Sequence, residues 1–355
     1  MDDQINRFRE RIDEIDAQVL QLISERANCA HRIGELKGGA VVYRPEREAQ
    51  VLRRLREINT GPLPGDSVQH LFTEIISACR ALERDMRVAY LGPRGTYSEE
   101  AVAKQFGAQA EGEPCASIAE VFQRVEAEGA GYGVVPIENS TEGGIGLTLD
   151  RLLASPLRIC GEILLPIHHC LHAKSGGLDE IVRVYAHAQS LGQCNTWLAR
   201  HLPTAERIPC SSNAEAARRA AGETGAAAIA SRAAGELYEM QLLAANIEDQ
   251  AGNTTRFVVI GDQDVAPSGR DKTSLAMAAP NRPGALHELL APLAAHGVSM
   301  TRFESRPSGT GLWEYVFYFD VEGHRQDPAV ASALAEVQSR AAFLKILGSY
   351  PVAVA

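Results

Sequence analysis

Cations stand where a helix would be expected to show only apolar side chains. Ile5, Phe8, Ile12, Ile15, Val19 and Leu22 alternate steps of three and four, the seam of one long amphipathic helix. One further step of four reaches Arg26. A guanidinium on such a stripe is costly unless an anion meets it. Lys37 follows eleven residues later, close to three full turns, and is expected above Arg26 on the same side. Arg9 precedes Arg26 by 17 residues and lies about a quarter-turn off that face. It suits the pocket of a second copy packed alongside better than its own. Arg47-Glu48, just after a first-turn Pro45, adds a cation and a carboxylate. Arg9, Arg26, Lys37 and Arg47 together point to a pocket for a small dianion, fixed by bidentate Arg–carboxylate contacts.

A second set of chemistry-bearing residues falls at the ends of apolar runs. These are Gly92-Pro93-Arg94-Gly95-Thr96-Tyr97-Ser98, Pro136-Ile137-Glu138-Asn139-Ser140, His187-Ala188-Gln189 with Gln193-Cys194, and Asn253-Thr254-Thr255-Arg256-Phe257. Each alone reads as turn or capping chemistry. Four loops at the carboxyl ends of strands make a ligand crevice. Residues 88–262 carry no GxSxG elbow, no Walker lysine and no GxGxxG after a strand. Gly143-Gly144-Ile145-Gly146 is too short a match and follows the wrong element. His168, Cys170 and His172 would share one strand face, but no carboxylate is spaced to complete a metal set. Hydrogen-bonded or core histidines are expected there, with no metal and no cofactor.

Further on, Pro283-Gly284-Ala285-Leu286 opens a helix whose free N–H groups can hold a carboxylate. Glu304-Ser305-Arg306-Pro307 ends a strand with a carboxylate that could pair with an ammonium. The plain readings are a helix start and an edge-strand proline.

The elements that must position these groups change along the chain. Residues 1–86 read as helical: one long helix ending at Gly38-Gly39, a second from Pro45 to about Ile58, and a third from Asp66 to Asp85 capped by Asp66 or Ser67. From Arg87 to about residue 263, short apolar runs (Val88–Leu91, Gly133–Ile137, Ile159–Leu165, Arg183–Ala186, Ala226–Ala230, Arg256–Ile260) alternate with helical stretches, implying α/β architecture. Asp262–Arg270 is a polar linker. Residues 271–355 read βαββαβ, the order of a small ferredoxin-like domain, with Trp313, Tyr315, Phe317 and Phe319 on one strand face. The expected domains are 1–86, 87–263 and 271–355.

Composition narrows the function classes. The chain has 355 residues, 45% hydrophobic and 23% charged, with a formal net charge of -10. That balance disfavours nucleic-acid binding and means anionic ligands must be held by local cations. Seven scattered cysteines without a CxxC pair argue against a disulfide framework. The acidic N-terminus and the absence of a long apolar run point to a cytoplasmic protein without a membrane partner.

The stretch Phe8-Arg9-Glu10-Arg11-Ile12-Asp13-Glu14-Ile15-Asp16, with Glu25-Arg26, Lys37, Arg47-Glu48 and Ile75–Glu83, resembles the all-helical chorismate mutases. The resemblance implies an intertwined dimer in which Arg9 crosses from the partner. Arg26 and Arg47 would bind the substrate carboxylates, Lys37 the ether oxygen, and Glu48 the substrate hydroxyl. Glu83 stands where other members have Gln, and would need to be protonated to donate. Cys79 stands where others have Ser. A Claisen rearrangement needs no nucleophile, only a folded substrate and donors for charge growing on the ether oxygen.

The four cleft motifs resemble prephenate dehydratases, which have two α/β lobes, like a small-molecule binding protein, with the site between. The resemblance makes Thr255 the proton donor and Thr96, Asn139, Ser140, Gln189, Ser231 and Arg256 substrate contacts. The last two motifs resemble ACT domains, where Gly284, Ala285, Leu286, Glu304, Ser305 and Arg306 would bind phenylalanine at a dimer interface. The resemblance covers residues 5–352. It implies chorismate, prephenate and L-phenylalanine as ligands and a homodimer or higher homo-oligomer. A mutase–dehydrogenase fusion lacks its glycine fingerprint here. A non-catalytic amino-acid sensor would leave the aligned cations without a purpose.

Overall fold

The computed structural model describes residues 1–36, 43–280, 282–307 and 315–354. Lys37, Gly38-Gly39, Leu312 and Trp313 lie outside the described residues. The helical module comprises α1 (Asp2–Leu36), α2 (Pro45–Ile58) and α3 (Gly65–Ala81). No residue of α1 is buried, and the seam residue Phe8 is 71% exposed. Within the chain α1 meets α3 through a different stripe, half-buried Ile23, Arg26, Ala27, Ala30 and Gly34. Among the described residues the apolar seam is therefore left without a partner.

The start and end of α3 differ from expectation. Pro64 precedes the helix at φ -58°, ψ 148°, and no side chain caps it. Asp66 is taken instead by Arg56, 2.7 Å away. The helix stops at Ala81 because the chain turns at Leu82-Glu83 and must extend into the next strand.

The two-lobed module begins with β1 (Arg87–Leu91), α4 (Tyr97–Phe106), β2 (Glu111–Cys115), α5 (Ile118–Glu126), β3 (Tyr132–Asn139), β4 (Gly143–Gly144), α6 (Gly146–Ala154) and β5 (Arg158–Pro166). The second lobe holds β6 (Cys170–Ala173), β7 (Arg183–His187), α7 (Ala188–Gln193), α8 (Asn195–His201), β8 (Glu206–Cys210), α9 (Asn213–Ala220), β9 (Ala226–Ala230), α10 (Arg232–Leu237) and β10 (Gln241–Ala244). The chain then returns to the first lobe as β11 (Thr254–Gly261). The sheet orders are β2-β1-β3-β11-β5, with β4 on β3, and β10-β6-β9-β7-β8. Two crossings between the lobes form the hinge side of a cleft. The polar edge strands β2 and β8 each contain a proline, which edges tolerate and which hides them from a pattern search.

The third module is β12 (Asp271–Ala278), α11 (Ala285–Ala295), β13 (Met300–Pro307), β14 (Tyr315–Glu322), α12 (Pro328–Arg340) and β15 (Phe343–Pro351), with sheet order β13-β14-β12-β15. Strand alternation gives its sheet two buried faces. Leu275, Met277, Phe319 and Val321 pack under α11 and α12. Ala276, Val316, Tyr318, Leu347 and Tyr350 join the core of the first lobe instead. At Gly348 the strands β15 and β5 approach so closely that a Cβ would strike the Ile159 backbone.

Candidate active sites

Thr255 lies at the floor of the cleft between the lobes, a cavity of about 910 Å³ lined also by Thr96, Asn139, Gln189 and Ser231. β3 and β11 are antiparallel neighbours that place Asn139 opposite Thr255. Asn139 Nδ2 donates to Thr255 Oγ1 at 2.9 Å and to Asn253 Oδ1 at 2.8 Å. Its Oδ1 accepts from Thr141 N (3.1 Å), Thr141 Oγ1 (2.6 Å) and Glu142 N (3.2 Å). Three donors on the oxygen fix the amide, so its NH2 faces Thr255. The threonine oxygen accepts, and among the described residues its own proton has no acceptor.

Helix starts surround this floor. Thr96, His187, Ser212 and Ser231 precede α4, α7, α9 and α10, and all four line the cleft. Their N–H groups face an anion favourably, with Arg94 as a cation among the lining residues. Gln193 reaches across from the second lobe to Thr141 Oγ1 at 3.3 Å and to His169 Nε2 at 2.8 Å. Burial holds His169 below its usual pKa, so the ring is neutral.

In the helical module, Arg26 Nη1 lies 2.9 Å from Cys79 Sγ. Arg26 thus turns toward α3, not into bulk water. Glu48 receives Arg80 Nη1 at 2.9 and 3.2 Å. Burial pushes the Glu48 carboxyl up to about 7, opposed by Arg80 and Arg26. The Glu83 carboxylate rests on Gly34 of α1, where a Cβ would come within 2.7 Å of it. Arg9 is exposed and lies about 25 Å up the helix axis from Arg26. Within one chain the two cannot share a pocket.

Family models fit these three regions. One described as chorismate mutase type II matches residues 8–84, one described as prephenate dehydratase residues 88–265, and one described as ACT domain residues 273–338. A bifunctional chorismate mutase/prephenate dehydratase of Neisseria gonorrhoeae is 52% identical, with 100% of this chain and 99% of that protein covered. Its counterpart in Aquifex aeolicus is 41% identical over 99% of each chain. The crystal structure of a prephenate dehydratase from Arthrobacter aurescens in complex with L-Phe matches with a TM-score of 0.70 at 36% identity, over 75% of this chain and 90% of that one. The chain belongs to the bifunctional chorismate mutase/prephenate dehydratase family. It is an enzyme of phenylalanine biosynthesis that rearranges chorismate to prephenate, then dehydrates and decarboxylates prephenate to phenylpyruvate. The sensor alternative is set aside by relatives with both activities over the full chain.

Several expected site residues fall elsewhere. Arg256 does not line the cleft. The pleat sends Thr255 into the cleft and Arg256 to the opposite face. There its Nε meets Glu162 Oε2 at 2.8 Å, its Nη1 Asp320 Oδ2 at 2.5 Å and its Nη2 Tyr350 OH at 2.7 Å. Ser140 is also absent from the lining; its Oγ accepts from Thr254 N at 2.9 Å and so ties the two strand ends together. Arg47 is exposed, and Arg80 takes the place beside Glu48. His168 bonds Glu248 at 2.9 Å outside any strand, so it does not share a strand face with Cys170 and His172.

The regulatory triplet is split by the same pleat. Ser305 is exposed, while Glu304 and Arg306 turn to the catalytic lobe. There a Cβ at Gly144 would collide with Glu304, and one at Gly146 with Arg306. Arg306 also pairs with Asp150 at 3.0 Å. Arg302 joins Glu304 at 2.5 Å and Glu138 at 3.2 Å, and Glu138 lies 3.7 Å from Arg256. Gly284 precedes α11 at φ +79°, a conformation that favours glycine. Ala285 is buried and Leu286 half-buried beside it. The run of polar residues at 211–213 went unread in the sequence; Ser211, Ser212 and Asn213 line the cleft because a helix starts there.

Proposed function

We propose that Thr255 donates the proton that lets the ring hydroxyl of prephenate leave as water. The observation that carries this is the 2.9 Å hydrogen bond from Asn139 to Thr255 Oγ1, which leaves the threonine proton unshared. As the C–O bond breaks, the ring carboxylate leaves as CO2 and its bonding pair enters the ring. Aromatisation supplies the driving force, and solvent restores the threonine proton. Thr96, Gln189, Ser231 and the helix starts around them hold the substrate's carboxylates in place of a cationic clamp. Ser140 acts by fixing Asn139 and Thr254, and Arg256 acts on the structure, not on substrate.

In the mutase module the roles proposed are Arg26, with Arg9 of a second copy, for the substrate carboxylates, Glu48 for the substrate hydroxyl, and Lys37 and Glu83 for the ether oxygen. The unpartnered seam of α1 supports a homodimer. A helix bearing Phe8, Ile12 and Leu22 in water needs an apolar cover. No described helix is long and apolar enough to cross a membrane. We assign the protein to the cytoplasm and its modules to residues 1–86, 87–263 and 271–355.

L-phenylalanine is the proposed feedback ligand of the third module, taken at the start of α11 and the Glu304 strand end. The contacts of Glu304 and Arg306 with the catalytic lobe support this reading. A ligand that recruits them alters what rests on the Asn139 loop. The deciding experiment is incubation with chorismate, with and without L-phenylalanine, and identification of the products. Phenylpyruvate should form without phenylalanine and diminish with it. Accumulated prephenate with no phenylpyruvate in either case would defeat the dehydratase roles.

A further inference from the structure

We infer that Arg80 is a positioning residue of the mutase reaction, holding Glu48 as the acceptor for the substrate hydroxyl. This rests on the role proposed for Glu48 above. Arg80 is 7% exposed and its contacts are all fixed. Nη1 meets both Glu48 oxygens, at 2.9 and 3.2 Å. Nη2 donates to the Phe106 carbonyl at 2.6 Å. Its guanidinium carbon lies 5.5 Å from the Tyr43 ring centroid and 5.7 Å from that of Phe106. The planar fork of arginine is what lets one side chain hold a carboxylate and a carbonyl at once. With Nη2 occupied and both rings against it, Arg80 is not placed to grip a substrate carboxylate itself.

The surroundings of Glu48 show why this cation is needed. Arg80 faces it from α3, Arg26 from α1, Glu46 from its own helix, and Tyr43 from just before α2. Burial favours the protonated acid, Glu46 reinforces that, and among the described residues the two arginines oppose it. In the complex Arg26 is engaged by the substrate, whose own negative charge disfavours an ionised Glu48 further. Arg80 remains as the cation dedicated to the carboxylate. Its second anchor, Phe106, ends α4 in the neighbouring module, as do the contacts of Ala108 N with Glu74 Oε2 (3.0 Å) and Gln109 N with Ser77 Oγ (3.2 Å). The mutase carboxylate is thus held in register by the body of the dehydratase.

The test is the pH profile of kcat/KM for chorismate in full-length wild type, Arg80→Gln, Arg80→Lys and Glu48→Gln, with dehydration of added prephenate measured alongside. All profiles are read in a Glu83→Gln background, where the donor to the ether oxygen does not titrate, and activity with Arg80 and Glu48 intact should rise through about pH 7. In Arg80→Gln the midpoint should move up by about one unit, giving about fivefold less activity at neutrality and recovery in alkali. Dehydratase turnover should stay unchanged. An unmoved midpoint in Arg80→Gln, or a loss shared equally by both activities and not recovered in alkali, overturns the assignment. Wild-type mutase turnover in Glu48→Gln would instead remove the role of Glu48, a separate failure. Should Arg80→Gln not fold, Arg80→Lys decides. It keeps the charge but not the fork, so the midpoint should stay near that of the parent while kcat/KM falls at every pH; an unchanged kcat/KM, or a loss shared equally by dehydration, overturns the proposal.

Discussion

Arg256 Nη1 lies 2.5 Å from Asp320 Oδ2, joining the strand of the dehydratase threonine to the sheet of the regulatory domain. Both side chains are buried, and Glu162, Tyr350, Ser274 and Lys272 extend the network. The residue beside Thr255 is therefore a bolt between domains. Removing one partner of such a pair strands a buried charge, at a cost of about 3–5 kcal/mol. Asp320→Ala should lower unfolding stability by that order in urea titrations. A change below about 1 kcal/mol would show that the network contributes little.

Thr255 separates the two activities. Thr255→Ala should reduce prephenate dehydration by at least about a hundredfold while chorismate loss continues at the wild-type rate. Thr255→Ser keeps the hydroxyl and should retain measurable turnover. Dehydration by the alanine variant at near wild-type rate would remove Thr255 from the mechanism.

Feedback should depend on Arg302. It links Glu304 of the regulatory strand to Glu138, the neighbour of Asn139. In Arg302→Met, L-phenylalanine should still bind by calorimetry. Its half-inhibiting concentration should rise by about tenfold, a loss of about 1.4 kcal/mol of coupling. Coincident inhibition curves for variant and wild type would place the coupling elsewhere.

Assembly should depend on the α1 seam. Phe8→Asp sets a charge on the exposed stripe and should shift the protein toward monomer in light scattering. Mutase activity should fall with it, because Arg9 then has no second copy to serve, while dehydration persists. A monomer with full mutase activity would contradict a shared site.

The sequence by itself determined the three modules, the seam of α1, the inner strands other than β6, and the identity of Thr255, Asn139 and Glu48 as chemistry-bearing groups. Those features are local: a period of two or of 3.6, a cation out of place, a polar cluster after an apolar run. Proline-bearing edge strands at 111–115 and 206–210 carried no such period and appear only through pairing with β1 and β7. Which way a residue faces was decided by tertiary packing. Arg256 and Thr255 are neighbours in the chain, yet the pleat sends one into the domain boundary and the other into the cleft. Arg80, unremarked within the Ile75–Glu83 run, is buried because α2 and the end of α4 close around it. Ion pairs between distant segments depend on burial and register together, and a single chain read in order contains neither.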